Sequence, residues 1–215
     1  HRDLHSFPTR RSSDLSRKDT GGLELNWGNA DAQLKLFEQI VNRQGIGDIL
    51  AEGTHIAAKQ IGGGAERCIS HAKGADLDQV DIRTLKGCAL SDAVSSRGAN
   101  PQRGWPPHEV VKKPMQPEMA LKIFGTDKGL DPLSYEEKGF TVNLFSNLCT
   151  LCDALGLCKF NTKWTGSAIG TREMTQLLGA ATGMDISEEE LLRVARRINN
   201  VERAYLVREG ITRSD

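Results

Sequence analysis

The stretch of sequence that ends at Cys158 constrains the fold of this chain more than any other. Apolar residues recur through Glu136–Asp153 with few charges between them, which predicts a helix that is buried over most of its surface. Gly156 is predicted to end this helix, because glycine readily adopts the bend at which helices stop. A carboxylate at Asp153 and a thiol at Cys158 flank the bend, and such groups together can hold a metal or an anionic cofactor.

Three of the five cysteines lie within ten residues: Cys149, Cys152 and Cys158. This spacing is neither that of a zinc ribbon, which needs a second pair of ligands, nor the closely spaced run of a ferredoxin. Cys149 and Cys152 fall on one helix face, where they can simply be core thiols, whereas Cys158 lies in a loop from which a thiol reaches a metal more freely. For each of them the alternative is a packed or free side chain.

Asp153 is placed unfavourably, because the dipole at the end of a helix favours cations rather than acids. It is either an exposed acid or a carboxylate with a partner. A carboxylate can accept two hydrogen bonds from a guanidine-like N–H/NH2 edge, which both arginine and a pterin ring present.

Helical periodicity with start and stop signals predicts several further helices. Their approximate spans are Asn29–Arg43, Asp48–Gly62, Lys86–Gly98, Pro117–Phe124, Ser167–Thr182 and a last helix with Ser187 as its N-cap. Strand patterns are weak throughout, so the predicted fold class is mostly α, in multi-helical domains. Residues 100–117 carry five prolines and Trp105, which argues against regular structure and predicts a lid or a surface insertion.

Composition narrows the class of protein. The 28 basic and 28 acidic residues balance, so no nucleic-acid surface is indicated, and no apolar run approaches the roughly 20 residues of a membrane span. An odd number of cysteines fits a reducing, cytoplasmic compartment better than a disulfide framework. Residues 1–15 resemble translated sequencing-adapter read-through and are set aside as a non-native tail; the alternative is a disordered basic tail.

The segment Asp153–Cys158 resembles the D-x-x-G-L-C motif of the aldehyde ferredoxin oxidoreductase family. The resemblance implies a tungsten (or molybdenum) bis-pterin cofactor and a [4Fe-4S] cluster. It implies that Asp153 binds a pterin, that Leu157 adds a backbone contact, that Cys158 is the last cluster ligand and that Lys159 is the adjoining basic residue of the cofactor site.

Other stretches resemble the same family in order and spacing over residues 16–215. They are Asp19–Ala30, Gly45–Gly53, Lys73-Gly74 with Asp81–Arg83, Ser95–Ala99, and Glu202-Arg203 with Val207–Arg213. Within Ser95–Ala99 the resemblance implies that Arg97 contacts the pterin cofactor. It also implies helical domains 2 and 3 of the family, here residues 16–95 and 96–215.

Two features depart from the family pattern. The first pterin motif and three upstream cluster cysteines are missing, so we expect a truncated gene product that is inactive alone. The histidine that many members carry after the R-G motif is replaced at Pro101. His108 is the nearest histidine and the candidate for the catalytic role, although a surface histidine is the simpler interpretation. His55 and His71 are expected to be structural.

The resemblance implies oxidation of an aldehyde to a carboxylic acid with ferredoxin as the electron acceptor, in a full-length protein that forms a homodimer. One alternative is a divergent reductase that uses the same cofactor on an aromatic acyl thioester or another carboxylic acid derivative. Another is a non-catalytic helical binding domain. A dithiol switch formed by Cys149 and Cys152 is the third alternative.

Overall fold

The structure is a computed structural model that describes residues 20–77, 82–110, 115–163 and 167–212. Within these ranges the chain forms nine α-helices and one two-stranded hairpin, which confirms the mostly α fold class. The chain divides into two compact units between residues 80 and 81, and a family domain boundary at residue 95 stays a prediction. The predicted tail at residues 1–15 lies outside the described residues, as do residues 19, 81 and 213 of the family-like motifs.

The first unit contains three helices and the hairpin. Their bounds are α1 (Ala30–Val41), α2 (Ile46–Leu50), α3 (Thr54–Ile61), β1 (His71–Ala72) and β2 (Ala75–Asp76). Asn29 caps α1 as predicted, since its side-chain oxygen accepts a hydrogen bond from the Ala32 N–H at 3.1 Å. The core of this unit consists of Leu25, Ala32, Leu36, Leu50 and Ala57.

The prediction of one helix across Asp48–Gly62 is wrong, because the helix is interrupted at Gly53. Gly53 adopts φ 87°, a left-handed conformation that glycine tolerates and that other residues adopt only with strain. The next helix starts at Thr54, whose N–H donates to Asp76 Oδ2 at 3.1 Å and whose hydroxyl donates to the same carboxylate. The acceptor that begins α3 therefore comes from the hairpin, 22 residues further along the chain.

His55 and His71 pack against each other in the first unit, with ring centroids 4.0 Å apart. Burial, followed by the nearby charge of His55, lowers the pKa of His71. The two rings contact each other between α3 and the hairpin, which agrees with the structural role expected for both.

The second unit is built around its longest buried helix. Its helices are α4 (Lys86–Val94), α5 (Pro107–Val110), α6 (Pro117–Phe124), α7 (Lys138–Leu155), α8 (Thr171–Thr182) and α9 (Glu188–Arg208). Single 3₁₀ turns lie at Pro101–Arg103, Lys128–Leu130 and Lys159–Asn161. α7 packs against α4, α6 and α9. The apolar core consists of Leu151, Cys152, Met174, Leu191 and Ala195.

The central helix confirms the main prediction from the sequence, with bounds shifted by two residues. Gly156 ends it in the left-handed conformation at φ 69°, and the Leu157 N–H donates to the Cys152 carbonyl at 2.8 Å. This pair of features is the Schellman motif, which satisfies carbonyls at a helix end. Near the start of the helix only one face is buried, since Lys138 is 3% exposed whereas Phe140 is 66% exposed. The last helix starts as predicted, since Ser187 Oγ accepts from the Glu190 N–H at 3.2 Å.

Over residues 103–109 the proline-rich segment packs into the second unit, so it is not the surface insertion that the sequence predicts; a lid function stays a prediction. The prediction of irregular structure is also wrong in part, because the segment forms a 3₁₀ turn and α5. Five of its residues are buried: Arg103, Gly104, Pro106, His108 and Glu109. The indole N–H of Trp105 donates to Asp92 Oδ1 at 2.7 Å, which ties the segment to α4. A Cβ at Gly104 would lie 3.2 Å from the Cα of Ser146, so the segment runs directly against α7.

Candidate functional site

Arg103 is the centre of a polar network in the second unit. It lies in the 3₁₀ turn that Asn100 caps, and only 8% of its side chain is exposed. Nη1 donates to Asp153 Oδ2 at 3.1 Å, and Nη2 donates to Ser96 Oγ at 3.2 Å and to Glu202 Oε2. Ser96 Oγ in turn donates to Glu202 Oε2 at 2.7 Å. With Lys159, these residues are called the Arg103 network below.

Asp153 has two cationic partners, one on each carboxylate oxygen. Lys159 Nζ lies 2.5 Å from Oδ1, and Arg103 Nη1 lies 3.1 Å from Oδ2. These ion pairs explain why an acid is found at an unfavourable helix end. The sequence left open whether the partner of Asp153 is an arginine or a pterin, and in the structure Arg103 is one of its partners. The side chain is 39% exposed, and an ionised carboxylate accepts about four hydrogen bonds. Asp153 can therefore accept further donors from outside while it keeps both cations.

Cys158 follows the bend at Gly156 and is an exposed, free thiol. Its carbonyl accepts from the Asn161 N–H at 3.0 Å, which forms the turn Lys159–Asn161. The Leu157 side chain packs against the core, and its N–H is used in the bond to Cys152. The bend therefore separates a core-facing side chain at 157 from an exposed thiol at 158.

Cys149 and Cys152 are core thiols, as expected from their helical spacing. They are 7% and 0% exposed, and burial raises the pKa of Cys149 to about 12 and that of Cys152 to about 11. Thiolates are the reactive and metal-binding form of cysteine, so these two residues are poorly suited to either role. The dithiol switch has no support from this arrangement.

The donor set fits a pterin better than a complete cluster. An iron-sulfur cubane takes about four cysteine ligands, and Cys158 supplies one exposed thiol. In the described ranges no group of three or more His, Cys, Asp or Glu side chains is arranged to hold a metal ion. Asp153, in contrast, offers an ionic acceptor with open lone pairs, which suits the N–H/NH2 edge of a pterin.

Arg97 lies in the turn after α4 and has an exposed side chain. Its backbone N–H donates to Ser95 Oγ at 3.2 Å. The next residue back, Ser96, contacts Arg103, which contacts Asp153. The structure thus connects the turn that carries Arg97 to Asp153 through a single side chain.

His108 is buried rather than at the surface, so the simpler interpretation of this residue is wrong. Its side chain is 8% exposed, its ring lies 6.1 Å from that of Phe145, and burial lowers its pKa. The adjoining Glu109 forms an ion pair with Lys138 at 2.5 Å, which fixes α5 inside the unit. The catalytic role of His108 stays a prediction.

Three residues of the network escaped sequence reasoning in this role: Ser96, Arg103 and Glu202. Ser96 and Glu202 lie inside family-like motifs, but neither side chain has a distinctive chemistry. Arg103 offered one indication, because it is a cation between Pro101 and Trp105. A buried cation needs carboxylate partners, which only the fold brings from α7 and α9.

The chain is similar to known oxidoreductases over most of its length. The model of the family described as aldehyde ferredoxin oxidoreductase, domains 2 & 3, matches residues 12–215. The tungsten-containing aldehyde ferredoxin oxidoreductase of Pyrococcus abyssi is 30% identical over 201 residues, which are 92% of this chain and 30% of that protein. The aliphatic sulfonate oxidoreductase, WOR-like subunit, of Pyrococcus furiosus is 29% identical over 197 residues, 91% of this chain and 27% of that protein.

A solved structure shares the fold. The active site complex BamBC of benzoyl coenzyme A reductase, in complex with 1,5-dienoyl-CoA, matches with a TM-score of 0.68 at 22% identity, over 94% of this chain and 34% of that chain. The chain thus spans about 30% of the length of the curated relatives it matches. None of the helices in the described ranges has the length and apolar character needed to cross a membrane.

Proposed function

The chain belongs to the aldehyde ferredoxin oxidoreductase family, and we propose that it forms part of a tungsten-pterin oxidoreductase that oxidises an aldehyde to a carboxylic acid, with water as the source of the added oxygen. Ferredoxin is the proposed electron acceptor, and molybdenum is the alternative metal. The observation that carries the proposal is the arrangement at the end of α7. The carboxylate of Asp153 forms ion pairs with two cations, and the exposed thiol of Cys158 follows five residues later. The reaction as a whole is a proposal, because the chain spans less than a third of its relatives.

In this proposal each site residue has a separate task. Asp153 accepts hydrogen bonds from the guanidine-like edge of a pterin, and Lys159 fixes the other side of the same carboxylate. The Leu157 N–H is already used inside the helix cap, so its backbone contact to the cofactor would come from the carbonyl oxygen. Arg97, which is exposed beside the network, adds a cationic contact to the pterin.

Cys158 is the proposed cluster ligand, and the remaining ligands would come from outside residues 1–215. When bound, the metal-pterin supplies the two-electron redox chemistry and the cluster supplies the route for electrons. The protein residues described above orient the cofactor.

His108 is the proposed proton-handling residue in place of the histidine that is absent at Pro101. Burial lowers its pKa, which favours the neutral imidazole, and a neutral imidazole has one ring nitrogen that is an acceptor. Replacement by glutamine tests this role in the complete protein. A fall in kcat with unchanged tungsten content and thermal stability supports it, whereas a loss of stability alone makes His108 a packing residue.

The experiment that tests the cofactor roles uses the complete protein, with the amino-terminal region that the proposal requires. Asp153→Asn should lower the tungsten and pterin content per chain while iron is retained, and Cys158→Ser should lower the iron content. Cys149→Ala is the matched cysteine control and should change neither. Unchanged iron and activity in Cys158→Ser would instead favour a helical binding domain without catalysis. The isolated 215-residue chain should lack stoichiometric tungsten and iron.

A second candidate is a divergent reductase that acts on an aromatic acyl thioester or a related carboxylic acid derivative. The observation in its favour is the replaced histidine: Asn100 and Pro101 occupy these positions, and the Asn100 side chain is used to cap a turn. The similarity to a sulfonate oxidoreductase subunit also means that family membership leaves the substrate open. Comparing aldehyde-dependent ferredoxin reduction with reduction of an aromatic acyl thioester, in the same preparation, separates the two reactions.

A further inference from the structure

We propose that Arg103 is a positioning residue, which fixes the orientation of the Asp153 carboxylate relative to the turn that carries Arg97. This inference rests on the proposed pterin-binding role of Asp153. It assigns a task to the proline-rich segment: to deliver one cation to the interior of the second unit.

The contacts of Arg103 connect three parts of the chain that are distant in sequence. Its guanidinium reaches Asp153 at the end of α7, Glu202 in the last helix and Ser96 in the turn after α4. Each of these residues lies in a different family-like motif. A planar guanidinium presents several N–H donors in fixed directions, so one side chain can orient several acceptors at once.

Charge balance explains why the cation is stable at 8% exposure. Arg103 and Lys159 face the carboxylates of Asp153 and Glu202, so two positive charges meet two negative charges. A buried charge is tolerated only when it is paired and hydrogen-bonded. The two carboxylates retain 39% and 33% exposure, so they can remain hydrated if the arginine is removed.

The geometry at Asp153 leaves room for a ligand. Arg103 binds Oδ2 and Lys159 binds Oδ1, and two anchors on different oxygens restrict rotation of the carboxylate plane. Each oxygen keeps one further acceptor position. A ligand that donates two parallel hydrogen bonds then meets a carboxylate of fixed orientation, which reduces the entropy lost on binding.

Lys159 cannot perform the same task alone. Its ammonium is a single point of charge on a flexible stem, and it contacts Asp153 from a position only six residues away. In the described part of the chain, Arg103 connects Asp153 to Ser96, the neighbour of Arg97. Removing Arg103 should therefore disturb both the carboxylate and the Arg97 turn.

The test uses the complete, cofactor-loaded protein and measures tungsten and pterin retained per folded chain after gel filtration. Arg103→Met should retain about tenfold less of both, the equivalent of one charge-assisted hydrogen bond. Arg103→Lys should retain more tungsten and pterin than Arg103→Met but less than the unchanged protein. Glu202→Gln keeps the arginine and should lose less of both than Arg103→Met does. Arg193→Met is the matched control, since Arg193 forms an exposed ion pair with Glu189.

A second measurement, by NMR on the 215-residue chain, reports directly on the conformation of the turn that carries Arg97. In Arg103→Met the backbone amide resonances of Ser96 and Arg97 should shift, whereas Arg193→Met should leave them unchanged. Normal cofactor retention in Arg103→Met, with loss in Asp153→Asn, would overturn the positioning role and leave the proposed function standing. Normal retention in Asp153→Asn would remove the pterin-binding role on which both proposals depend. If Arg103→Met does not fold, Glu202→Gln and Arg103→Lys decide between the outcomes.

Discussion

Replacement of Lys138 by methionine is expected to destabilise the second unit severely, because it breaks a buried ion pair. Lys138 and Glu109 are 3% and 0% exposed, with 2.5 Å between Nζ and Oε1. Glu109 also accepts hydrogen bonds from the N–H groups of Gly87 and Cys88, at 3.0–3.2 Å. Lys138 further donates to the Gly129 carbonyl at 2.7 Å.

The magnitude follows from what remains after the substitution. Methionine fills most of the volume of lysine, so the loss is mainly electrostatic. The carboxylate of Glu109 stays buried, with the N–H groups of Gly87 and Cys88 and the Cys88 thiol as neutral partners in the described part of the chain. Breaking one side of a buried pair typically costs about 3–5 kcal/mol. The double variant Lys138→Met/Glu109→Gln should lose less than Lys138→Met, because it removes the uncompensated charge.

Urea unfolding of the 215-residue chain, followed by circular dichroism, measures the free energy of unfolding. With a typical m value of about 2 kcal/mol/M, the midpoint should fall by roughly 2 M for Lys138→Met. Arg193→Gln, at an exposed pair, should shift it little. A loss below about 1 kcal/mol for Lys138→Met, or a double variant less stable than Lys138→Met, would refute the reasoning.

Three further predictions concern α7 and α8. Iodoacetamide should label Cys158 quickly in the native protein and label Cys149 and Cys152 only after unfolding, since burial raises the pKa of those two thiols to about 12 and 11. Mass spectrometry of tryptic peptides measures the order of labelling, and early labelling of Cys152 would contradict the prediction. Glu173 accepts hydrogen bonds from Lys163 and from the Gly170 N–H, which lower its pKa from 4.5 to about 2. Its stabilising effect is therefore present above pH 4.5 and is lost as the pH falls through about 2. An NMR pH titration in which Lys163→Met does not raise the pKa of Glu173 would disprove this cause. Gly156→Ala should cost about 1 kcal/mol in urea unfolding, because alanine must adopt φ 69°, and an unchanged midpoint would argue against the left-handed cap.

Much of the fold follows from local rules that the sequence displays directly. Asn29 and Ser187 were predictable as N-caps because their side chains bond to backbone groups within three residues. Gly156 was predictable as a helix end for the same local reason. The family-like motifs also pointed to Asp153 and Cys158 without any knowledge of the packing, and the cofactor roles of both residues stay predictions.

The errors arise where a distant group decides the local structure. The interruption at Gly53 depends on an acceptor, Asp76, that lies 22 residues away. The burial of the proline-rich segment depends on Asp92 and on the close approach of Gly104 to α7. Arg103 was overlooked because its partners come from separate helices, and periodicity within one helix carries no information about them.

The cap on α3 also has a consequence for how the first unit folds. α3 has eight residues, and helices this short are unstable in water by themselves. Because the N–H and the hydroxyl of its first residue, Thr54, donate to Asp76, α3 and the hairpin should form and open as one cooperative segment. Native-state hydrogen exchange should then show the same opening free energy for amides in α3 and in the hairpin, and Asp76→Ala should release both together.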